Sequence, residues 1–192
     1  MINLRTDRSS EMKFELRLAI PADVEPIREL IAHSVLGLAK GIYSDMQIEL
    51  SIQSVFGVDH QLIEDGTYFV AEAGGGIVGC GGWSRRRTLF GASEYSESRN
   101  SALLDPATEP AKIRAFFVHP DAARNGIGRA ILQRCEAEAL AECFTAAEMM
   151  ATLPGVPLYE ACGYEKHESH AVNLPQGETI VCVRMSKALW RR

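Results

Sequence analysis

Apolar and polar residues alternate with a period of two along "FELRLAI" (14–20), the pattern of a half-buried strand. The period then lengthens: Val24, Ile27, Ile31 and Val35 recur at helical spacing. Ser44 is a good N-cap, so a second helix is predicted through "DMQIELSIQSVFG", ending at Gly57, with a short helical turn in "DHQLIEDG". Two β-prone runs flank Gly74, Gly75 and Gly76, predicting a hairpin with strands at about 67–73 and 77–84. From Arg85 to Pro110 the periodicity fades into a long loop, of a kind that often carries function. "AKIRAFFVH" (111–119) reads as a central strand, and Ile127, Ile131, Cys135 and Ala139 then mark an amphipathic helix. A strand over 145–153, a short helix in "VPLYEAC" stopped by Gly163, and a closing antiparallel pair in "YEKHESHAV" and "ETIVCVRMS" complete the chain. The mixture predicts a single α/β domain over 13–192, with residues 1–12 a loose polar tail.

Composition narrows the function classes. A chain of 192 residues with 46% hydrophobic and 23% charged residues has the balance of a soluble globular protein. No apolar run approaches the ~20 residues of a membrane span, and the amino terminus lacks the apolar stretch of a secretory signal. A cytoplasmic location is the expectation. A net charge of −5 supplies no footprint for nucleic acid, whose phosphates demand many Lys and Arg. The five cysteines are an odd number without a CxxC pair, which fits reduced packing thiols better than a disulfide framework or a zinc site. His167 and His170 form an HxxH pair on a predicted strand, where they fall on opposite faces, so no metal site is expected.

The stretch with candidate chemistry is "HPDAARNGIGRAIL" (119–132). A strand, a glycine turn and a helix start present unpaired backbone N–H groups and the positive end of a helix dipole, which together favour an anion. Gly126 and Gly128 either shape that turn and its packing or admit a phosphate to the backbone. A triphosphate loop of the form GxxxxGK[ST] occurs nowhere in the chain. The dinucleotide pattern GxGxxG fails at its third glycine, which falls on Ile131.

"FFVHPDAARNGIGRAILQRCE" resembles the acetyl-coenzyme A loop of the GNAT superfamily of N-acetyltransferases: an apolar strand, V-x-P, then Gln/Arg-x-x-Gly-x-Gly/Ala opening a long helix. Ala123 stands at the Gln/Arg position, with Arg124 its neighbour. "LPGVPLYEACGYEKHE" resembles the later motif of the same family through Tyr159, Glu160, Gly163 and Tyr164, with Pro154 where an Asn is common. The resemblance spans roughly 14–188. It implies a mixed, mostly antiparallel sheet of six or seven strands, flanked by helices, in which the fourth and fifth strands splay apart.

The implied function is acetyl transfer from acetyl-coenzyme A to a primary amine, without metal, by direct transfer in a ternary complex. Phe117 and Val118 would pair with the pantetheine arm, while Arg124, Asn125, Gly126, Ile127, Gly128 and Arg129 would hold the diphosphate. An alkyl amine is only about one part in a thousand neutral at pH 7, so a base is required, and a phenol is the right acid for a departing thiolate. Tyr159 is the candidate acid. Glu148 is the candidate base, although a glutamate facing Arg114 on the neighbouring strand would equally form an ion pair. Arg85 and Arg87, in the run "SRRR", and Arg114 are candidates for an anionic group on the acceptor, a small molecule or peptide. A homodimer is compatible with the resemblance. The alternative is a coenzyme A binding or sensing module without turnover.

Overall fold

A computed structural model describes residues 12–89 and 101–190. Seven strands, β1 (Glu15–Leu18), β2 (Tyr68–Ala73), β3 (Gly76–Ser84), β4 (Ala111–Val118), β5 (Ala146–Thr152), β6 (Glu165–Asn173) and β7 (Thr179–Ala188), form one sheet. Five helices flank it: α1 (Val24–Leu38), α2 (Asp45–Ser54), α3 (His60–Glu64), α4 (Ile127–Ala141) and α5 (Val156–Ala161). The strand order is β1-β2-β3-β4-β5-β7-β6. Every neighbouring pair is antiparallel except β4 with β5.

Local chemistry explains most of these elements. Ser44 caps α2 by accepting from the Gln47 N–H, and the Gln47 side chain returns the contact to the Ser44 N–H. Asp59 caps α3 through Leu62 N–H. The hairpin turns through Gly74 and Gly75, both at positive φ. The two sheet faces bury separate apolar layers. Ala147, Met149 and Ala151 of β5 join Ile127, Ile131 and Cys135 of α4, whereas Val70 and Cys80 join Ile27, Ile31 and Val35 of α1 on the other face. The five cysteines are free thiols; Cys80, Cys135 and Cys182 are buried.

Met12 packs against the core, and the rest of the expected tail, residues 1–11, lies outside the described residues. The 85–110 segment is tied down at both ends: Arg86 bridges to Leu103, and the Leu104 N–H donates to the Arg85 carbonyl with Leu104 buried. Its centre, 90–100, is outside the described residues.

The feature that positions the site is the β4–β5 pair. Only Ala111 with Ala147 and Lys112 with Glu148 are in register, whereas β5 stays paired to β7 as far as Thr152. Beyond Lys112 the two strands diverge. The rest of β4 therefore presents an edge inside the sheet, with backbone groups that no neighbouring strand uses.

Candidate active site

The divergence opens a cleft of about 610 Å³, walled by β4 from Ile113 to Val118 on one side and by Met149 to Leu153 on the other. α1 and the segment around Phe56 close one face, and the loop before α4 closes the far end.

The wall contributed by β4 is bent. Its register against β3 shifts between Cys80 and Gly82, and Ala115, at the bulge, has φ +56°. A non-glycine residue there carries backbone strain, so something must hold it. The Ala115 carbonyl accepts from the Tyr68 hydroxyl at 3.2 Å and from the Cys80 thiol at 3.7 Å, both on the side of β2 and β3. Because a trans peptide sets its N–H opposite its C=O, the Phe116 N–H is turned towards the cleft. Val118 turns the same way; its N–H donates to the Ser34 hydroxyl of α1 at 3.2 Å.

The far end is the glycine loop. Arg124 and Gly126 both adopt positive φ, at +66° and +80°, and the Asn125 amide donates to the carbonyls of Ala122 and Ala123, fixing the turn. The Ala130 N–H is the first to bond back along α4, to the Gly126 carbonyl, so the N–H groups of Ile127, Gly128 and Arg129 face outward at the positive end of the helix. All three residues line the cleft, as do Arg124 and Gly126; Asn125 does not. The glycines have different reasons. No atom lies within 4 Å of where a Gly126 Cβ would sit, so its backbone conformation is what demands glycine, whereas a Cβ on Gly128 would meet Leu158 of α5 at 2.8 Å.

Tyr159 lies on α5 with its ring between Phe116 of β4 and Tyr164, at centroid distances of 6.2 and 6.1 Å. It is buried and lines the cleft. Burial pushes its phenol well above the ordinary value near 10, so the group holds its proton throughout neutral and mildly alkaline conditions.

The other residues singled out by sequence fall in three places. Glu148 does not face Arg114. The parallel register sets it opposite Lys112, with which it forms a close ion pair, and Arg184 of β7 approaches its other oxygen at 3.3 Å. It is not part of the cleft wall. Arg85 and Arg87 also lie outside the cleft: Arg85 pairs with Glu142 at 3.1 Å, and Arg87 with Glu109. Arg86, between them, takes Asp65 in a two-point contact at 2.7 and 2.8 Å. The arginine run thus fastens a loop to three different acids. Arg114 does line the cleft, buried against Asp59, with its Nη2 at 3.3 Å from the carboxylate. His119 caps the turn after β4 by accepting from the Asp121 N–H at 3.3 Å.

Sequence reasoning missed Asp59, the bulge at Ala115, Ser34 and Tyr43. Tyr43 donates to the Val181 carbonyl at 2.6 Å and accepts from the Leu153 N–H at 2.9 Å, bracing the β5 wall. Asp59 sits in a caphelix signal that reads only as local structure, and nothing in an Ala marks a positive φ.

The cleft between the splayed strands β4 and β5 thus ends at the helix-start amides of α4. The sequence matches the model of an acetyltransferase (GNAT) domain over residues 64–166, more than half of the chain, and the protein belongs to that family. Among solved structures it resembles a GCN5-related N-acetyltransferase from Rhodopseudomonas palustris (TM-score 0.69, 18% identity, 95% of this chain and 100% of that one). It also resembles the PaiA N-acetyltransferase of Thermoplasma acidophilum in complex with coenzyme A (TM-score 0.64, 15% identity, 92% and 99%). A third likeness is to YncA of Salmonella typhimurium, a putative acetyltransferase with acetyl-CoA (TM-score 0.60, 17% identity, 94% and 96%). A search of curated proteins gives no significant match. Among the described residues no helix is long and apolar enough to cross a membrane, and no group of three or more His, Cys, Asp or Glu is placed to hold a metal ion.

Proposed function

We propose that the protein is an N-acetyltransferase that moves the acetyl group of acetyl-coenzyme A to a primary amine by direct transfer in a ternary complex. The observation that carries this reading is one continuous cleft joining the helix-start amides of Ile127 to Arg129, the cleft-facing edge of β4 and the phenol-bearing wall at Tyr159. The amides and the side chains of Arg124 and Arg129 offer a diphosphate what it needs, oriented N–H donors and positive charge. Phe117 and Val118 offer main-chain pairing to an amide-bearing arm, much as a sheet edge takes up a peptide.

Acetyl-coenzyme A supplies a thioester carbon open to attack. The Phe116 N–H, aimed into the cleft by the bulge, is placed to stabilise charge that develops on the thioester oxygen. The acceptor amine, after losing a proton to water, forms the new C–N bond while the C–S bond breaks. Once bonded, the nitrogen gives up its second proton to water, while Tyr159 gives its proton to the departing sulfur and regains one from solvent, so ammonium and thioester become amide, thiol and one released proton. The base is open water here, because Glu148 is neutralised by two cations away from the cleft. A covalent acyl-enzyme on Cys162 is disfavoured, since burial raises that thiol and leaves less thiolate. Five free thiols suit a reducing compartment, consistent with action in the cytoplasm.

Calorimetric titration with acetyl-coenzyme A followed by thiol-release assays against amines tests the proposal. Saturable one-to-one binding with amine-dependent release supports it; binding without release from any amine leaves a coenzyme A sensing module instead.

A further inference from the structure

The cleft passes through the sheet, and its two halves differ in chemistry. Side chains of β4 point to both faces: Phe116 and Val118 pack in the layer of Ile127 and Tyr159, whereas Ala115 and Phe117 pack in the layer of Tyr43, Phe56 and Val172. The helix-start amides of α4 belong to the first face. With coenzyme A held by those amides, the half left for the acceptor is the one on the α1 and α2 face.

That half is apolar. Leu38, Ile42, Phe56, Leu89 and Val172 line it. Leu38 ends α1 and Ile42 follows in the next turn, and they remain 37% and 48% exposed, so apolar surface at the mouth is open to an incoming molecule. Phe56 is set edge-on against Phe117 with ring centroids 5.9 Å apart, and Tyr43 spends its hydroxyl on the Val181 carbonyl and the Leu153 N–H. The two charged residues of this lining are turned away from it. The side chains of Asp59 and Arg114 are 1% and 2% exposed and paired with each other; Asp59 also accepts from the Leu62 N–H, and Arg114 donates to the Thr88 carbonyl. Among the described residues, therefore, this half presents no open charge to a ligand.

A second charge on the acceptor would lose its water here without gaining a partner, a cost that an apolar group does not carry. A ring or branched chain instead gains by leaving water for these side chains. The same wall acts on the amine: removing water disfavours the ammonium, which helps the nitrogen shed the proton that must leave before attack.

We infer that the acceptor is a primary amine on an apolar aryl or alkyl group, with no second charge: the Leu38–Ile42–Phe56 wall takes the apolar group and leaves the amine at the thioester beside the bulge. This rests on the acetyltransfer reading above and names its substrate class. The reaction is then R–NH₃⁺ plus acetyl-coenzyme A giving R–NH–CO–CH₃, free coenzyme A thiol and one proton, with a C–N bond formed and the C–S bond broken.

Matched acceptors test it: phenethylamine against L-phenylalanine, which adds a carboxylate, and isoamylamine against 1,4-diaminobutane, which adds an ammonium, assayed by thiol release from acetyl-coenzyme A. Each apolar amine is expected to exceed its charged partner in kcat/KM by at least ~10-fold, the scale of burying one apolar side chain against leaving it in water. Ile42→Asp places a charge at the mouth on a residue exposed enough to spare the fold. It is expected to narrow the preference for isoamylamine over 1,4-diaminobutane by at least ~3-fold, the scale of an exposed ion pair. Charged partners acetylated as well as the apolar amines, or a ratio unmoved in Ile42→Asp, would overturn the inference while leaving the acetyltransferase reading intact. Hexanoyl-coenzyme A outdoing acetyl-coenzyme A with 1,4-diaminobutane as acceptor would also overturn it, by giving the apolar half to the acyl chain. Coenzyme binding without thiol release to any amine fails the acetyltransfer reading itself, and the inference with it.

Discussion

The hydroxyl of Tyr68, on β2, donates to the carbonyl of Ala115, on β4, and the Ala115 φ of +56° is what aims the Phe116 N–H at the cleft. Tyr68 is fully buried, and burial keeps its phenol protonated and therefore a donor. Tyr68→Phe leaves the Ala115 carbonyl to the weaker Cys80 contact at 3.7 Å. The variant is expected to lose about 1–3 kcal/mol of stability, the cost of an unsatisfied buried acceptor, in urea unfolding. Its kcat should fall by roughly ten-fold, less than for outright loss of an oxyanion donor. A stable variant with unchanged kcat would detach the bulge from catalysis.

Tyr159→Phe tests the acid. Its turnover is expected to drop at least ~10-fold with coenzyme affinity unchanged, at the low end for general acid catalysis. Because burial raises the phenol, the protonated, active form persists to higher pH than a free tyrosine allows. The kcat profile of the native protein should therefore show no alkaline fall below about pH 10, the ordinary phenol value. An alkaline limb near pH 8 that vanishes in Tyr159→Phe would contradict the raised value.

How far the sequence discloses this molecule depends on the range of the interaction that decides each feature. Local signals are legible: Ser44 with Gln47 announces the start of α2, the glycine pair the hairpin, and Gly126 the left-handed step before α4. Register is not local. Glu148 and Arg114 lie on adjacent strands, yet a parallel offset of two residues hands Glu148 to Lys112 and leaves Arg114 to Asp59, 55 positions away in the chain. The bulge between Lys166 and Ser169 likewise breaks the simple alternation assumed for the HxxH pair, where His167 meets Ser186 at 2.6 Å and His170 approaches Glu168 at 3.4 Å. Arg85, Arg86 and Arg87 look alike in sequence; only the fold shows that each has a different acid to hold.

The Arg86–Asp65 contact carries an acid sensitivity. Arg86 holds the Asp65 carboxyl below its ordinary value, so the folded state binds fewer protons there than the unfolded chain. The stabilisation is complete above the unfolded carboxyl value near 4 and drains away as pH falls through it towards the lowered folded value. Asp65→Asn should lower Tm at pH 7 by about 2–4 °C, roughly 1 kcal/mol for a chain of this size. The gap between variant and native protein should close on acidification to pH 3. A constant gap from pH 7 to pH 3 would show that the contact acts by shape rather than charge.

The two glycines of the loop should fail in different ways. Gly126→Asp adds bulk and negative charge at a left-handed position beside the helix-start amides, and is expected to weaken coenzyme binding by at least ~10-fold. Gly128→Ala adds only a methyl group, but its Cβ would lie 2.8 Å from Leu158, on the turn of α5 that carries Tyr159. The contact is with the tip of the Leu158 side chain, so a turn of that side chain relieves most of it, and whatever strain is left falls on α5 and Tyr159 while the amides of α4 stay in place. The expected result is a fall in kcat with coenzyme affinity altered by less than ~3-fold, since a small misplacement of a catalytic group is costly. Shortening the neighbour supplies the control: Leu158→Ala combined with Gly128→Ala removes the clash and should restore part of the lost kcat. Equal loss of affinity in Gly128→Ala and Gly126→Asp, without rescue by Leu158→Ala, would mean that Gly128 serves the diphosphate directly rather than the seating of α5.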